Sequence, residues 1–376
     1  METGQLIEAI NHFTFHLQKQ HNWQPICGIN VFSCLLMAAY ASDGNSRQEF
    51  LQALCLGDIS IRSAARSLKE FIEDIERAGN LVNANSMWHR PDRRLTAQFQ
   101  DAMQDFKVVV GAIDRDGIAR FIYKATQGLI DPDVSVSSDM ALMLYSCFYF
   151  KGNWKTPFDG GNTFSSTFYT FQGDSMPCDM MTMSDSFDYL ETSTYQALIL
   201  PYELGDMTVS QPHWAALFVL SKNPTEAGLH EAIAGVTQDP HSWSLVFEPC
   251  APTGMDIYIP KFSLATKSDL IPSLRRMGVS SALHPSLDFW ATTPREETWI
   301  SNIEHMVYLK CDELGTEVAA VTECSAEDGL DEGNVHFMLD RPFWMAVFDR
   351  VSEVVLCSGV VQDVGGIDRA TENYPS

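Results

Sequence analysis

The residues best able to do chemistry do not assemble into a recognisable active site. No GxxxxGK[ST], GxGxxG, HExxH or GxSxG pattern occurs, so the signatures of phosphate loops, dinucleotide folds, zinc proteases and nucleophile elbows are all absent. His230 and Glu231 stand together in LHEAIAG, but no second histidine follows at a zinc-ligand spacing, and the pair reads as a surface helix. The segment that draws notice is Cys311 to Asn334, the most polar and least periodic stretch of the chain; a structureless segment of roughly 20 residues inside a compact domain is uncommon and usually functional. It carries a hidden order. Thr316, Val318, Ala320, Thr322, Cys324 and Ala326 are small and uncharged, whereas the alternate positions, Glu317, Ala319, Val321, Glu323, Ser325 and Glu327, hold every acid of that run. Alternate residues of a strand face opposite sides, so this is an amphipathic strand pattern; the plainer reading is a solvated acidic linker.

The elements that must position this segment follow from composition and period. The chain has 376 residues, 45% of them hydrophobic and 20% charged, enough apolar material for a large core and too much for disorder. At roughly 150 residues per domain, one large or two ordinary domains fit. Lys and Arg number 25 against 49 Asp and Glu, a formal charge of −24 spread along the sequence. Neither nucleic acid nor an anionic membrane is an expected partner of so acidic a surface. The longest apolar run, Ala141 to Phe150, is about half of the roughly 20 residues that span a bilayer. The N-terminus carries Glu where a secretory leader carries Lys or Arg, and Leu6, Ile10, Phe13 and Leu17 share a helical face, which predicts an ordinary first helix. Nine cysteines without a CxxC pair, most in apolar runs, and no usable N-x-S/T sequon predict buried free thiols. The expectation is a leaderless protein, cytoplasmic or released without a signal peptide.

Up to about Gln127 the pattern is mostly helical, in LQALCL, SAARSLKEFIEDIERA, QFQDAMQDF and GIARFIYKATQGLI. From Met140 it becomes strand-like, with ALMLYSCFYFKGNW, YQALILPYE, HWAALFVLS, MDIYIPKFSLA, NVHFMLDRPFWMAVFDR and SEVVLCSGVVQDV, interrupted by one short helix, KSDLIPSLRRMG. Helices followed by strands without regular alternation predict an α+β fold with mainly antiparallel sheets.

Several of these segments, in order, resemble the serpin family of loop-insertion protease inhibitors. INVFSCLLMAAYASDGNSRQEFLQAL resembles the family's NVFSPxSI helix and turn, and ALMLYSCFYFKGNWKTPF resembles its LxLVNAxYFKGxWxxxF strand. LILPYE, IYIPKFSL with DLIPSLRRMGV, LDFWATT, HMVYLKCDELGTEVAA and DRPFWMAVFDR with VLCSGVVQDV follow in the family's order. The resemblance covers nearly the whole chain. It implies a single domain over residues 1–376, three β-sheets with about nine helices, and an exposed reactive loop at about 313–334. It also implies a monomer with no cofactor, no metal and no catalysis of its own, whose partner is a target protease of the serine or cysteine class. Trp154 and Lys151 would stand where the loop enters the main sheet, and Ser33, Ser146 and His305 would belong to the polar cluster that controls sheet opening. The sequence departs from the pattern at Cys34 for Pro, Leu36 for Ser, Ser146 for Asn, and at Ala119 and Phe121 in IARFI.

The family's EEGTEAAA hinge corresponds to Glu313, Leu314, Gly315, Thr316, Glu317, Val318, Ala319 and Ala320, with Val318 replacing a small Ala. Insertion of about 11 loop residues as a central strand would add on the order of 10 kcal/mol in backbone hydrogen bonds, at about 1 kcal/mol each. The usual count from Gly315 ends at Gly329; one residue earlier stands Asp328, and a loop shortened to Asp resembles the poxviral cytokine response modifier type, which acts on caspases and granzyme B. Leu330, which would suit chymotrypsin-like or cathepsin proteases, and Asp331 stay open as cleavage sites. The second reading keeps the fold in a non-inhibitory binding or chaperone protein.

Overall fold

The computed structural model describes residues 2–57, 59–77, 81–203, 214–238, 243, 251–293, 296–316 and 335–365. The chain divides into two compact units. One comprises Met1–Tyr149, Ala265–Tyr308 and Val354–Cys357, the other Phe150–Leu264, Leu309–Glu353 and Ser358–Ser376. Eight α-helices lie among the described residues.

The first unit carries most of them: α1 (Glu2–Gln20), α2 (Gly28–Ala41), α3 (Gly44–Ala53), α4 (Ile61–Arg77), α5 (Ala97–Ala102), α6 (Arg115–Ala125) and the short helix Ile271–Arg276. In α2 every residue but Tyr40 is buried, as a helix that is apolar on all sides requires. Thr96 and Asp114 start α5 and α6 by accepting the Phe99 and Gly117 amides on their side chains, the N-cap arrangement that satisfies the first free N–H groups. Its strands are β1 (Leu81–His89), β2 (Arg94–Leu95), β3 (Val108–Ala112), β4 (Leu142–Phe150), β11 (Phe262–Asp269), β12 (Thr292–Thr293) and β13 (Ile300–Cys311). Five of these form a sheet in the order β11-β13-β4-β1-β3, and β2 pairs with β12.

Two findings differ from the sequence reading. The helical first third also contains β1 and β3. The β13–β4 and β1–β3 pairs are parallel, with Ile300 opposite Leu142 and Tyr308 opposite Tyr149. Parallel pairing needs long crossovers, and the chain from Phe150 to Ile300 supplies one. It also explains why LMLYSCFYF reads as a continuous apolar run, since all nine residues of β4 are buried. Ile118, Ile122 and Ala125 of α6 pack with Trp88, Met143, Tyr145 and Met306, and the departing Ala119 and Phe121 lie partly buried against the same core.

The second unit is mostly sheet. Its strands are β5 (Gly152–Asn153), β6 (Phe164–Tyr169), β7 (Ser175–Glu191), β8 (Tyr195–Pro201), β9 (Trp214–Ser221), β10 (Ala251–Pro260), β14 (Gly315–Thr316), β15 (Val335–Met338), β16 (Phe343–Asp349) and β17 (Val355–Val361). Eight form one sheet in the order β15-β10-β7-β8-β9-β16-β17, with β6 beside β7. Here the antiparallel expectation holds for β6–β7, β7–β8, β7–β10, β8–β9 and β9–β16. Helix α7 (Glu226–Thr237) begins at Thr225, whose hydroxyl accepts the Gly228 amide. A separate two-stranded ribbon, β14 with β5, carries the start of the hinge segment.

Candidate functional site

In the first unit, the β13–β4 register places His305 opposite Ser146. His305 is fully buried. Its Nε2 lies 2.9 Å from the Cys27 amide, which can only donate, so Nε2 is the unprotonated acceptor. Its Nδ1 lies 3.1 Å from both the Ser146 carbonyl and the Ser146 hydroxyl; the carbonyl accepts the Nδ1 proton. This geometry fits a neutral ring, and burial holds its pKa down at about 3. Asn30 donates from Nδ2 to the Cys147 carbonyl at 2.7 Å, while its Oδ1 has no hydrogen-bond partner. The seam where β13 and β4 pair is therefore pinned to the start of α2 by backbone-directed bonds.

In the second unit, the chain leaving β13 is clamped. The Trp154 indole N–H donates to the Asp312 carbonyl at 3.0 Å and its amide to the Leu314 carbonyl at 2.8 Å. The indole stacks on Tyr202 with centroids 4.6 Å apart and planes 11° from parallel. The Tyr202 hydroxyl meets Thr316 Oγ1 at 2.9 Å, with both groups buried. The Phe158 amide donates to the Glu313 carbonyl at 2.8 Å. The Glu313 carboxylate accepts the Thr163 hydroxyl at 2.9 Å and pairs with Lys261 at 3.2 Å. Burial alone would raise its pKa, but a backbone N–H, Thr163 and Lys261 outweigh it and hold the carboxyl below its ordinary value.

Two glycines make the clamp possible. Gly315 has φ +152°, and a Cβ there would stand 2.0 Å from the Gly152 carbonyl oxygen. A Cβ on Gly152 would stand 2.7 Å from the Tyr202 ring. Only two bare backbones approach closely enough for Gly315 to pair with Asn153 and Thr316 with Gly152.

Of the residues singled out from the sequence, Trp154, Glu313, Gly315 and Thr316 come together in the clamp. Thr316 is completely buried, so the segment beginning at residue 313 opens with a turn and the short buried strand β14 rather than exposed loop. Ser146 and His305 meet at the β13–β4 seam. Ser33 is buried in α2, but among the described residues no hydrogen bond joins it to His305; Cys27 and Ser146 take that place. Cys34 is buried and its thiol is pushed up to about 12 by burial, a packing residue. Glu317, Val318, Ala319, Ala320, Asp328, Gly329, Leu330 and Asp331 lie outside the described residues. Cys27, Asn30, Tyr202 and Lys261 were missed. Tyr202 and Lys261 sit in LILPYE and IPKF, motifs already in view, whereas Cys27 acts through its backbone and leaves no signal.

Among the described residues seven cysteines are free, six of them buried and Cys55 exposed. No helix among the described residues is long and apolar enough to cross a membrane.

Comparison with known proteins matches residues 8–364 to the family model described as Serpin (serine protease inhibitor). The chain is 24% identical to human Serpin B9 over 353 residues, covering 88% of this chain and 90% of that protein. Among solved structures, human thyroxine-binding globulin complexed with thyroxine superposes with a TM-score of 0.84 at 20% identity, covering 97% of this chain and 100% of that one. Arabidopsis AtSerpin1 in its native stressed conformation gives 0.82 at 22% identity, covering 97% and 99%.

Proposed function

The chain belongs to the serpin family, and from that premise we propose that it is a suicide-substrate inhibitor of acid-specific proteases of the caspase or granzyme B type. The observation that carries the reading is Thr316, the first small residue of the alternating series, already buried in strand β14. A segment whose inward parity is small and uncharged from Thr316 to Ala326 can continue as a strand without forcing charge into a core. Cleavage after Asp328 would free it. In the proposed sequence the protease attacks that carbonyl, forms its acyl intermediate, and is carried with the loop as it inserts. The chain's own groups hold and then release the hinge; stored strain supplies the drive.

Incubation with a caspase, granzyme B and chymotrypsin, followed by a denaturing gel, tests the reading. A complex that resists denaturation, with mass spectrometry placing the cut after Asp328, is the expected result. Asp328→Ala should slow association at least about a hundredfold, because a pocket built for a carboxylate is left unpaired. Thr316→Arg should turn the inhibitor into a substrate, since burying the charge costs several kcal/mol. A cut after Leu330, with Asp328→Ala unaffected, would move the target to chymotrypsin-like or cathepsin proteases.

A second reading, a non-inhibitory binding protein, is favoured by Val318 in place of the hinge's small residue and by the likeness to thyroxine-binding globulin. It predicts simple clipping without complex.

A further inference from the structure

The sheet of the first unit buries a carboxylate that neither the clamp nor the His305 seam uses. Glu304 of β13 stands opposite Tyr145 of β4. Its side chain is 19% exposed, and its buried Oε2 has no hydrogen-bond partner among the described residues. Lys267 of β11 stands 3.5 Å from that oxygen, but its ammonium donates to the Asp133 carbonyl. An ionised carboxylate in such a place is costly unless it is both paired and hydrogen-bonded. Here the pairing is incomplete.

The segment that joins α6 to β4 covers this carboxylate. Its Ile130 and Val134, both buried, pack with Tyr145, the residue opposite Glu304, and with Met306, two places along β13. The cover is lightly held. The amides of Leu129, Asp133 and Met140 donate to the carbonyls of Thr126, Asp131 and Ser137, all local bonds, and segments held in this way open at low free energy. The titratable groups around Glu304 are Lys267 and Asp269 of β11 and Tyr145 and Cys147 of β4, while α6 presents Ile118 and Ile122 to the same core. Burial raises the Glu304 carboxyl above its ordinary value, Asp269 adds to the shift, and Lys267 and Asn302 oppose it. Burial, with the Glu304 charge, also pushes the Tyr145 hydroxyl up. His305, next along the strand, reaches the start of α2 on the other face.

We propose that Glu304 is a stored charge that loads this cover: ionised, it favours lifting of residues 129–139 from the sheet, and protonated, it lets them close. Lifting returns the carboxyl to water and to its ordinary value of 4.5, so the open form holds fewer protons and opening becomes easier as pH rises past that value. The inference is independent of the inhibitor reading, and its test needs no protease.

Hydrogen exchange of the full chain, corrected for the intrinsic pH dependence of amide exchange, measures opening of residues 129–139 at about pH 4.5 and about pH 7.5. Wild type should open severalfold more at the higher pH. Glu304→Gln, and Glu304→Met as an apolar counterpart of similar size, should open severalfold less than wild type at about pH 7.5 and approach it at about pH 4.5. A wild-type segment that opens equally at both values overturns the inference without any variant. Variants that open as much as wild type or more at the higher pH also overturn it, because the ion pair with Lys267 then holds the cover shut instead of loading it.

Discussion

The clamp around residues 312–316 and the seam around His305 are both hydrogen-bonded polar sites, and they are built on opposite logics. At the clamp, a redundant set of weak links holds the chain: three bonds to the carbonyls of Asp312, Glu313 and Leu314, one hydroxyl pair at Thr316, and one largely buried ion pair at Glu313. No single link dominates, so the segment can be unlatched stepwise. At the seam, one imidazole in one tautomer joins Cys27 at the start of α2 to Ser146 of β4, beside one amide bond from Asn30 to the Cys147 carbonyl. A load shared over many links tolerates loss of one member, whereas the seam concentrates its hold in two buried side chains, and the His305 ring holds only while it is neutral.

The sharpest way to break the clamp is through geometry rather than a bond. Gly315→Ala should be the most damaging change of those considered, costing roughly 3 kcal/mol or more, because φ +152° strains any side chain and the added methyl meets a carbonyl oxygen that belongs to the backbone. Chemical denaturation of wild type and variant reads it. A loss below about 1 kcal/mol would mean that the β14–β5 ribbon is not a fixed part of the fold.

The seam is separated from the clamp by pH. His305 is held near pKa 3 when folded against an ordinary value of about 6.5. A folded pKa below the unfolded one stabilises above the unfolded value and loses that contribution as pH falls toward the folded one. Stability should therefore decline by a few kcal/mol between about pH 6.5 and 3, and His305→Gln, which cannot titrate, should flatten that slope. Glu313 has the same sign in a lower window. Its carboxyl is held below the ordinary range, so its contribution is present above about pH 4.5 and fades only below it. Because it is part-exposed, Glu313→Gln should cost under about 1 kcal/mol. Thermal midpoints across pH 3–8 for the two variants check the order; a flattened slope between pH 5 and 6.5 in Glu313→Gln instead would reverse the assignment.

The two sites were also unequally legible in the sequence. The clamp's Glu313, Gly315 and Thr316 stand in a recognisable run, and Trp154 in another, because side-chain and glycine identities carry the function. The seam was half visible: His305 and Ser146 came into view through the family resemblance, but the other partner of His305 is the Cys27 amide, and any residue type supplies an amide. Ser33 drew attention only through the family resemblance, and among the described residues it makes no bond to the ring. In the fold, β4 was clear from its unbroken apolar run, whereas β7, SMPCDMMTMSDSFDYLE, was not. That strand passes between different neighbours, with β6 beside Ser175 to Met180, β10 beside Met180 to Tyr189 and β8 beside Asp188 to Glu191, so burial follows no single alternation along it. β1 was masked for a similar reason, its seven most buried residues including Asn83, Asn85 and Ser86.

The smallest effect is the most diagnostic of a shared load. Thr316 and Tyr202 meet through hydroxyls 2.9 Å apart, with both residues buried. Thr316→Val keeps the shape and removes one partner, leaving the Tyr202 hydroxyl short of a bond, and should cost about 1–2 kcal/mol. Tyr202→Phe should cost a similar amount while keeping the stack on Trp154. The double variant removes both polar groups, so neither is left orphaned, and it should fall well short of the sum of the singles, with a coupling of about 1 kcal/mol. Equilibrium denaturation of the four proteins measures the cycle. If the two losses simply add, the hydroxyl pair is not a link of the clamp, and the hold on Thr316 comes from the β14–β5 backbone pairing alone.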